Sequence, residues 1–317
     1  VKTEYYVNDT GRQATTLAYG LDYYEPEKKG KKDHRLVNCY QLASKELKKN
    51  EATKNKIYNT MELIEGGDKK SLRDVRGAAE QMLEGMKLSL RRLKAEPDSY
   101  FHESDLLESG VVNDIIENLK QSKLCGEENG AHYLDLGAEG IAGRNQNFFF
   151  TRKNGLSLYT TRDIAYHLDK FTRCDKALNI LGEDHRLQGK LLGIALRELK
   201  SKEPRNLFYS FVNLPGGKMS TRAGRVVYLD DIMEQIVELA KEKLEGGTSQ
   251  QGRWKADIKD DQRGKLAEEI GIGALRYNIL KVQAEKGFTF NIEDALNLQG
   301  DSAPFAMYSH ARASAII

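Results

Sequence analysis

Cysteine, proline and tryptophan are scarce in this chain, at three, five and one among 317 residues. The thiols Cys39, Cys125 and Cys174 are odd in number and far apart, which argues against a disulfide framework and a zinc site. They read as reduced, mostly buried cysteines. No long apolar run occurs, so no signal peptide or membrane span is expected, and the expected location is cytoplasmic. An excess of one charge is missing too: 49 Lys and Arg face 47 Asp and Glu, so bulk charge gives no argument for nucleic-acid binding. The Gly-x-x-x-x-Gly-Lys-Ser/Thr spacing of a P-loop is absent, as are internal repeats and low-complexity tracts. What remains, 39% hydrophobic and 30% charged residues, is ordinary for a globular enzyme and long enough to bury a sizeable core.

The most informative stretch is Gly216-Gly217-Lys218-Met219-Ser220-Thr221-Arg222-Ala223-Gly224. It sets cations on a loop with glycine at both ends, between strand-like runs at Phe208–Leu214 and Arg225–Leu229. A lysine on such a loop can close over a polyphosphate and neutralise charge as it develops. A basic surface turn would look the same.

Upstream, Lys176–Leu181 reads as a short buried strand ending in Gly182-Glu183-Asp184-His185. A helix comes next, with Leu187, Leu191, Ile194, Ala195 and Leu199 on one face. Strand, Gly-x-Asp loop and helix suit a nucleotide site at the carboxyl end of a parallel strand. Gly182 permits close approach of a ligand, and Asp184 can accept both ribose hydroxyls or cap the helix. Before this, Asn154-Gly155 joins Asn147–Thr151 to Leu156–Tyr159 as a two-residue β-hairpin. Thr161 then caps a helix whose inner face carries Ile164, Leu168 and Phe171, with Asp163 in its first turn. Asp163 there serves the helix dipole, or, with Tyr159, forms a pocket for a planar cation such as a guanidinium.

Three of these segments, Tyr159-Thr160-Thr161-Arg162-Asp163-Ile164-Ala165, Gly182-Glu183-Asp184-His185 and Lys218-Met219-Ser220, stand in the order of a class I arginyl-tRNA synthetase, a family that the chain resembles. Tyr5-Tyr6-Val7-Asn8-Asp9-Thr10-Gly11-Arg12-Gln13 and Gly300–Phe305 with Tyr308–Arg312 are similar to the same family. The resemblance implies activation of L-arginine by ATP, with Mg²⁺ accompanying the nucleotide, and transfer of the arginyl group to tRNA(Arg). It also implies that Tyr159 and Asp163 hold the arginine side chain, and that Gly182 and Asp184 hold the ATP ribose with His185 beside them. Lys218 would stabilise departing pyrophosphate, and Met219 and Ser220 would shape the ATP loop, Lys218 and Ser220 being the catalytic pair. No protein nucleophile and no dedicated metal cluster are expected.

The family's His-x-Gly-His type signature is missing, because no two of the histidines at 34, 102, 132, 167, 185 and 310 are three residues apart. The chain therefore reads as an interior portion of a longer synthetase, weakly active or inactive alone. The alternative is a non-catalytic nucleotide- or tRNA-binding module; another class I synthetase is a third reading. The expected fold is α/β: a doubly wound, Rossmann-like parallel sheet, incomplete at the N-terminus, split by a mostly helical insertion and followed by α-helices. Residues 1–24 would finish the first half of the nucleotide-binding fold, 25–132 form the connective insertion, 133–245 the second half, and 246–317 a helical region leading toward an anticodon-binding domain.

Within the insertion, lysines at 28–32 and between Lys45 and Lys56 suit either phosphate contact or a solvated face. Leu72, Val75, Ala79, Met82, Met86, Leu90 and Leu93 predict a core-facing helix stripe, and Val111, Val112, Ile115, Ile116 and Leu119 another. Tyr133–Leu136 reads as a strand returning to the sheet region. Asp230 or Asp231 should start a helix, and Trp254 should anchor the segment after the glycine-rich break at 246–252. Gly271 and Gly273 inside a helix over 266–282 imply close backbone packing.

Overall fold

A computed structural model describes residues 1–141, 146–214, 227–245, 259–298 and 300–316. The loop carrying Lys218, Met219 and Ser220 lies outside the described residues, as do Gly143, the glycine-rich break at 246–252 and Trp254. The chain divides into two compact units. The first comprises Val1–Leu90, Ala95–Asn179 and His185–Asn206, and the second Arg91–Lys94, Ile180–Asp184 and Leu207–Ile317.

The first unit opens with strand β1 (Glu4–Val7), then helices α1 (Arg12–Tyr23), α2 (Lys32–Leu47), α3 (Glu51–Glu65) and α4 (Lys69–Arg92). Strand β2 (Ser99–His102) returns parallel to β1, with Tyr6 opposite Phe101. Parallel neighbours require a crossover, and here it is made by helices α1 to α4. Asn50 starts α3 by accepting from the Ala52 N–H at 2.9 Å. On α4 the buried residues include Leu72, Val75, Ala78 and Leu83, while Met86 of the expected stripe is exposed. A longer helix drifts relative to any fixed three–four count, so its later turns rotate the stripe.

Helices α5 (Glu103–Glu108) and α6 (Val111–Lys120) follow, and α6 buries Val112, Ile115, Ile116 and Leu119 as its spacing predicts. Strands β3 (Cys125–Glu128), β4 (Ala131–Asp135) and β5 (Asn147–Phe149) form a three-stranded antiparallel sheet. The strand at Tyr133 thus has antiparallel partners on both sides and does not join a parallel pair. The turn after β5 is also longer than expected. Arg152 N–H donates to Leu156 O at 2.8 Å, leaving three residues in the loop, with Gly155 at φ 81°. A three-residue hairpin places one residue in the left-handed region, and glycine takes it without strain.

Helix α7 (Tyr159–Arg173) and helix α8 (Arg186–Glu198) complete the first unit; strands β6 (Leu178–Gly182) and β7 (Arg205–Tyr209) pair with each other, each with its first two residues in the first unit and the rest in the second. Helices α6, α7 and α8 pack with β4 and β5 around Leu119, Leu134, Phe150, Ile164 and Leu192. Strand β6 departs from the buried reading. Asn179 points inward while Leu178 and Ile180 are 58% and 64% exposed, the alternation of a half-covered strand.

In the second unit the run at Phe208–Leu214 breaks after β7. Strand β8 (Val212–Asn213) pairs instead with β9 (Phe288–Thr289), in parallel. The expected strand at Arg225–Leu229 is not formed where it is described, because Leu229 already opens α9 (Leu229–Leu244). Helices α9 and α10 (Asp260–Leu280) pack closely at Gly271, where a Cβ would sit 3.0 Å from Val237 Cα. Arg92 forks onto Glu268 of α10 at 2.8 and 3.0 Å and reaches Glu234 of α9 at 2.6 Å. Helices α11 (Ile292–Ala295) and α12 (Ala303–Ser314) follow; Ser302 caps α12 with Pro304 in its first turn, and His310 and Arg312 lie exposed on it.

Candidate active site

The site is built on the amino-terminal half of α7. Leu158 N–H donates to Phe150 O at 3.2 Å and Thr160 Oγ1 to Phe149 O at 3.0 Å; the Thr161 hydroxyl also donates to Phe150 O. Thr161 is thus the third residue of the helix and ties it to the preceding strand, not its cap; Leu158 holds the cap position. Asp163 correspondingly moves into the second turn, away from the unsatisfied N–H groups of the helix end. That weakens the dipole reading of Asp163. Tyr159 and Asp163 are four residues apart and share one face of α7. Tyr159 is 62% exposed and Asp163 half-buried.

Between them in sequence, Arg162 turns the other way, into the protein. Its Nε donates to Glu103 Oε1 at 2.9 Å, its NH1 to Ser157 Oγ at 3.3 Å, and Glu65 Oε1 lies 3.5 Å away. Glu65 also receives a bidentate fork from Arg152, at 3.0 Å on both arms, and Glu103 accepts from the Thr10 hydroxyl. Two carboxylates and two guanidinium groups balance. Burial alone would draw the Arg162 guanidinium down, but Glu103 and Glu65 hold its titration above the ordinary value. This buried group locks α7 to the loop after β1 and to α3.

Aromatic packing fixes the other flank. Tyr6 of β1 stacks on Phe101 at 6.1 Å and leans on Tyr166 at 4.4 Å. Burial, then the charges of Glu103 and Asp163, push the Tyr6 hydroxyl far above its usual titration range, so it stays protonated beside these carboxylates. The loop following β1 is held by Asp9, fully buried, which accepts from Ser104 N–H at 2.9 Å and Ser104 Oγ at 2.8 Å and contacts His102 Nδ1 at 2.8 Å.

The second group of candidate residues stands together at the carboxyl end of β6. Gly182 ends the strand, Glu183–His185 form one 3₁₀ turn, and α8 begins at Arg186. His185, not Asp184, occupies the position before α8, and its side chain makes no cap bond. Asp184 lies one residue further from α8, inside the 3₁₀ turn. Asp184 and His185 are both exposed.

A family model described as tRNA synthetases class I (R), catalytic domain, matches residues 1–292. The chain belongs to this family. It is 38% identical to the arginine–tRNA ligase of Methanocella arvoryzae, over all of this chain and 56% of that protein. It is 36% identical to that of Methanocaldococcus jannaschii, over all of this chain and 54% of that protein. It thus spans about half the length of these curated relatives. The arginyl-tRNA synthetase of Thermus thermophilus superposes with a TM-score of 0.81, at 23% identity, covering 100% of this chain and 57% of that one. That likeness speaks for the fold alone. Among the described residues no helix is long and apolar enough to cross a membrane.

Within this class I synthetase fold, sequence reasoning named the exposed face of α7 and missed its buried support. Glu65, Glu103 and Asn179 carry no local motif, whereas Asp9 falls within the Tyr5–Gln13 segment that resembles the family. His167 did carry a signal, since it lies four residues beyond Asp163 and so on the same helix face.

Proposed function

We propose that the protein activates L-arginine with ATP to arginyl-adenylate and passes the arginyl group to the terminal ribose of tRNA(Arg). The observation that carries this reading is the pairing of Tyr159 and Asp163 on the open face of a helix whose other face is locked by buried ion pairs. A carboxylate and an aromatic ring so placed suit a guanidinium, which is planar and forks onto carboxylates. Gly182 and Asp184 would take the ATP ribose, with His185 beside it. Lys218 would neutralise pyrophosphate as it leaves, and Met219 and Ser220 would shape the loop over ATP. Mg²⁺ would arrive with the phosphates as part of the substrate.

In the first step a carboxylate oxygen of arginine attacks the α-phosphorus of ATP, and the bond to pyrophosphate breaks. In the second a ribose hydroxyl of tRNA attacks the arginyl carbonyl, and AMP leaves. Neither step needs a protein nucleophile, so catalysis rests on positioning and charge stabilisation. Such a protein would work in the cytoplasm, with residues 25–132 as the connective insertion between the halves of the nucleotide fold.

The competing reading is a nucleotide- or tRNA-binding module without chemistry. Arginine-dependent exchange of pyrophosphate into ATP by the full-length protein, with tRNA(Arg) present, separates the two. Exchange that needs arginine, and that falls in Asp163→Asn, supports the synthetase reading. No exchange with any amino acid supports the binding module.

A further inference from the structure

Behind Asp163 lies a chain of polar side chains that the arginine pocket itself does not require. His167 is buried one turn further along α7, with Nδ1 2.8 Å from the Asp163 carbonyl and 3.3 Å from its carboxylate Oδ1. On the opposite edge of the ring, Nε2 faces the Asn179 amide of β6, 2.9 Å from Nδ2 and 3.2 Å from Oδ1. Lys170 decides which amide atom meets the ring. Its Nζ donates to Asn179 Oδ1 at 3.0 Å, while Asn179 Nδ2 also donates to Asn206 Oδ1 at 3.2 Å. With the amide oxygen turned to an ammonium and its nitrogen to a carbonyl, Nδ2 has one hydrogen left for His167. Nε2 must then accept, and the imidazole proton sits on Nδ1, where it donates to the Asp163 carbonyl at 2.8 Å. Lys170 is itself held 4.2 Å above the Tyr166 ring.

We propose that His167 is a positioning residue for arginine selection: the Lys170–Asn179–His167 relay keeps the Nδ1–H on the Asp163 carbonyl, fixing the helix turn that presents the Asp163 carboxylate to the guanidinium. This rests on the reading of Asp163 as the guanidinium partner. Asp163 has freedom to turn, being half-exposed, and a buried imidazole braced at both nitrogens restricts it. The relay acts on arginine and leaves the phosphates of ATP untouched.

The test compares His167→Asn with His167→Gln in the full-length protein. An asparagine amide can reach the place of Nδ1 and restore the donor to Asp163. A glutamine amide reaches the place of Nε2 and does not. The expected result is a KM for arginine raised about tenfold in His167→Gln and within about twofold of the parent in His167→Asn. The KM for ATP and the unfolding temperature should be alike in the two variants. Lys170→Met, which frees the Asn179 amide to turn, should raise the arginine KM in the same direction. Equal losses in His167→Asn and His167→Gln, or losses shared by arginine and ATP, would overturn the proposal in favour of a purely structural histidine. Asp163→Asn is the control. If it leaves the arginine KM unchanged, the pocket reading fails and the relay with it. If it raises that KM while His167→Gln does not, only the relay is wrong.

Discussion

Arg162 Nε lies 2.9 Å from Glu103 Oε1, both side chains are buried, and the helix turn they brace presents Tyr159 and Asp163 on its other side. A buried ion pair adds little over a well-packed apolar pair, yet breaking it leaves a charge without compensation. Glu103→Gln should therefore destabilise the protein by about 3–5 kcal/mol, read from urea unfolding. The double variant Glu103→Leu with Arg162→Met should lose less than the single one. A single-variant loss under about 1 kcal/mol would show that the pair does not anchor α7.

Glu4 makes stability depend on acid. Burial opposes its ionisation, but the Arg173 fork at 2.9 and 3.1 Å and the Tyr166 hydroxyl at 3.0 Å hold its carboxyl below the ordinary 4.5. A carboxyl lowered by folding contributes stability that is fully present above its unfolded-state value. That contribution is lost as pH falls through the folded value. Glu4→Gln should lower stability at neutral pH by about 1 kcal/mol, since Arg173 is half-exposed. It should also make the fall in unfolding temperature below pH 4.5 shallower. Parent and variant curves that stay parallel through that range would remove Glu4 from the account.

Helices α1 and α2 pack through glycine. A Cβ on Gly20 of α1 would stand 2.6 Å from the Cys39 carbonyl oxygen of α2, and backbone atoms cannot yield as a flexible side chain would. Gly20→Ala gains about 1 kcal/mol of helix propensity and loses about 1–3 kcal/mol to overpacking. The expected outcome is a lower midpoint of thermal unfolding followed by circular dichroism. A raised midpoint would mean that α1 and α2 separate at little cost.

Local patterns made the elements legible and long-range ones did not. Helix α6 could be read from Val112, Ile115, Ile116 and Leu119, because one helix face is a property of consecutive residues. The position of β6 was equally plain, but its burial was not, since a short apolar run looks the same whether one face or both are covered. The Asn154-Gly155 signal located the hairpin and missed its third loop residue, which depends on where Arg152 and Leu156 pair. In the site, Tyr159 and Asp163 stand out because they lie within one seven-residue motif. Glu103 and Arg162 are 59 residues apart, and Arg152 and Glu65 are 87 apart, so no window of sequence joins them.

On the proposed function, the Asp163 face of α7 selects a guanidinium. Calorimetric titration with arginine and with lysine, each with a non-hydrolysable ATP analogue present, tests it most directly. The expected result is binding of arginine, lysine weaker by at least about tenfold, and a loss of about 1.5–3 kcal/mol in arginine affinity for Asp163→Asn. Equal affinity for the two amino acids, or arginine affinity unchanged by Asp163→Asn, would contradict it.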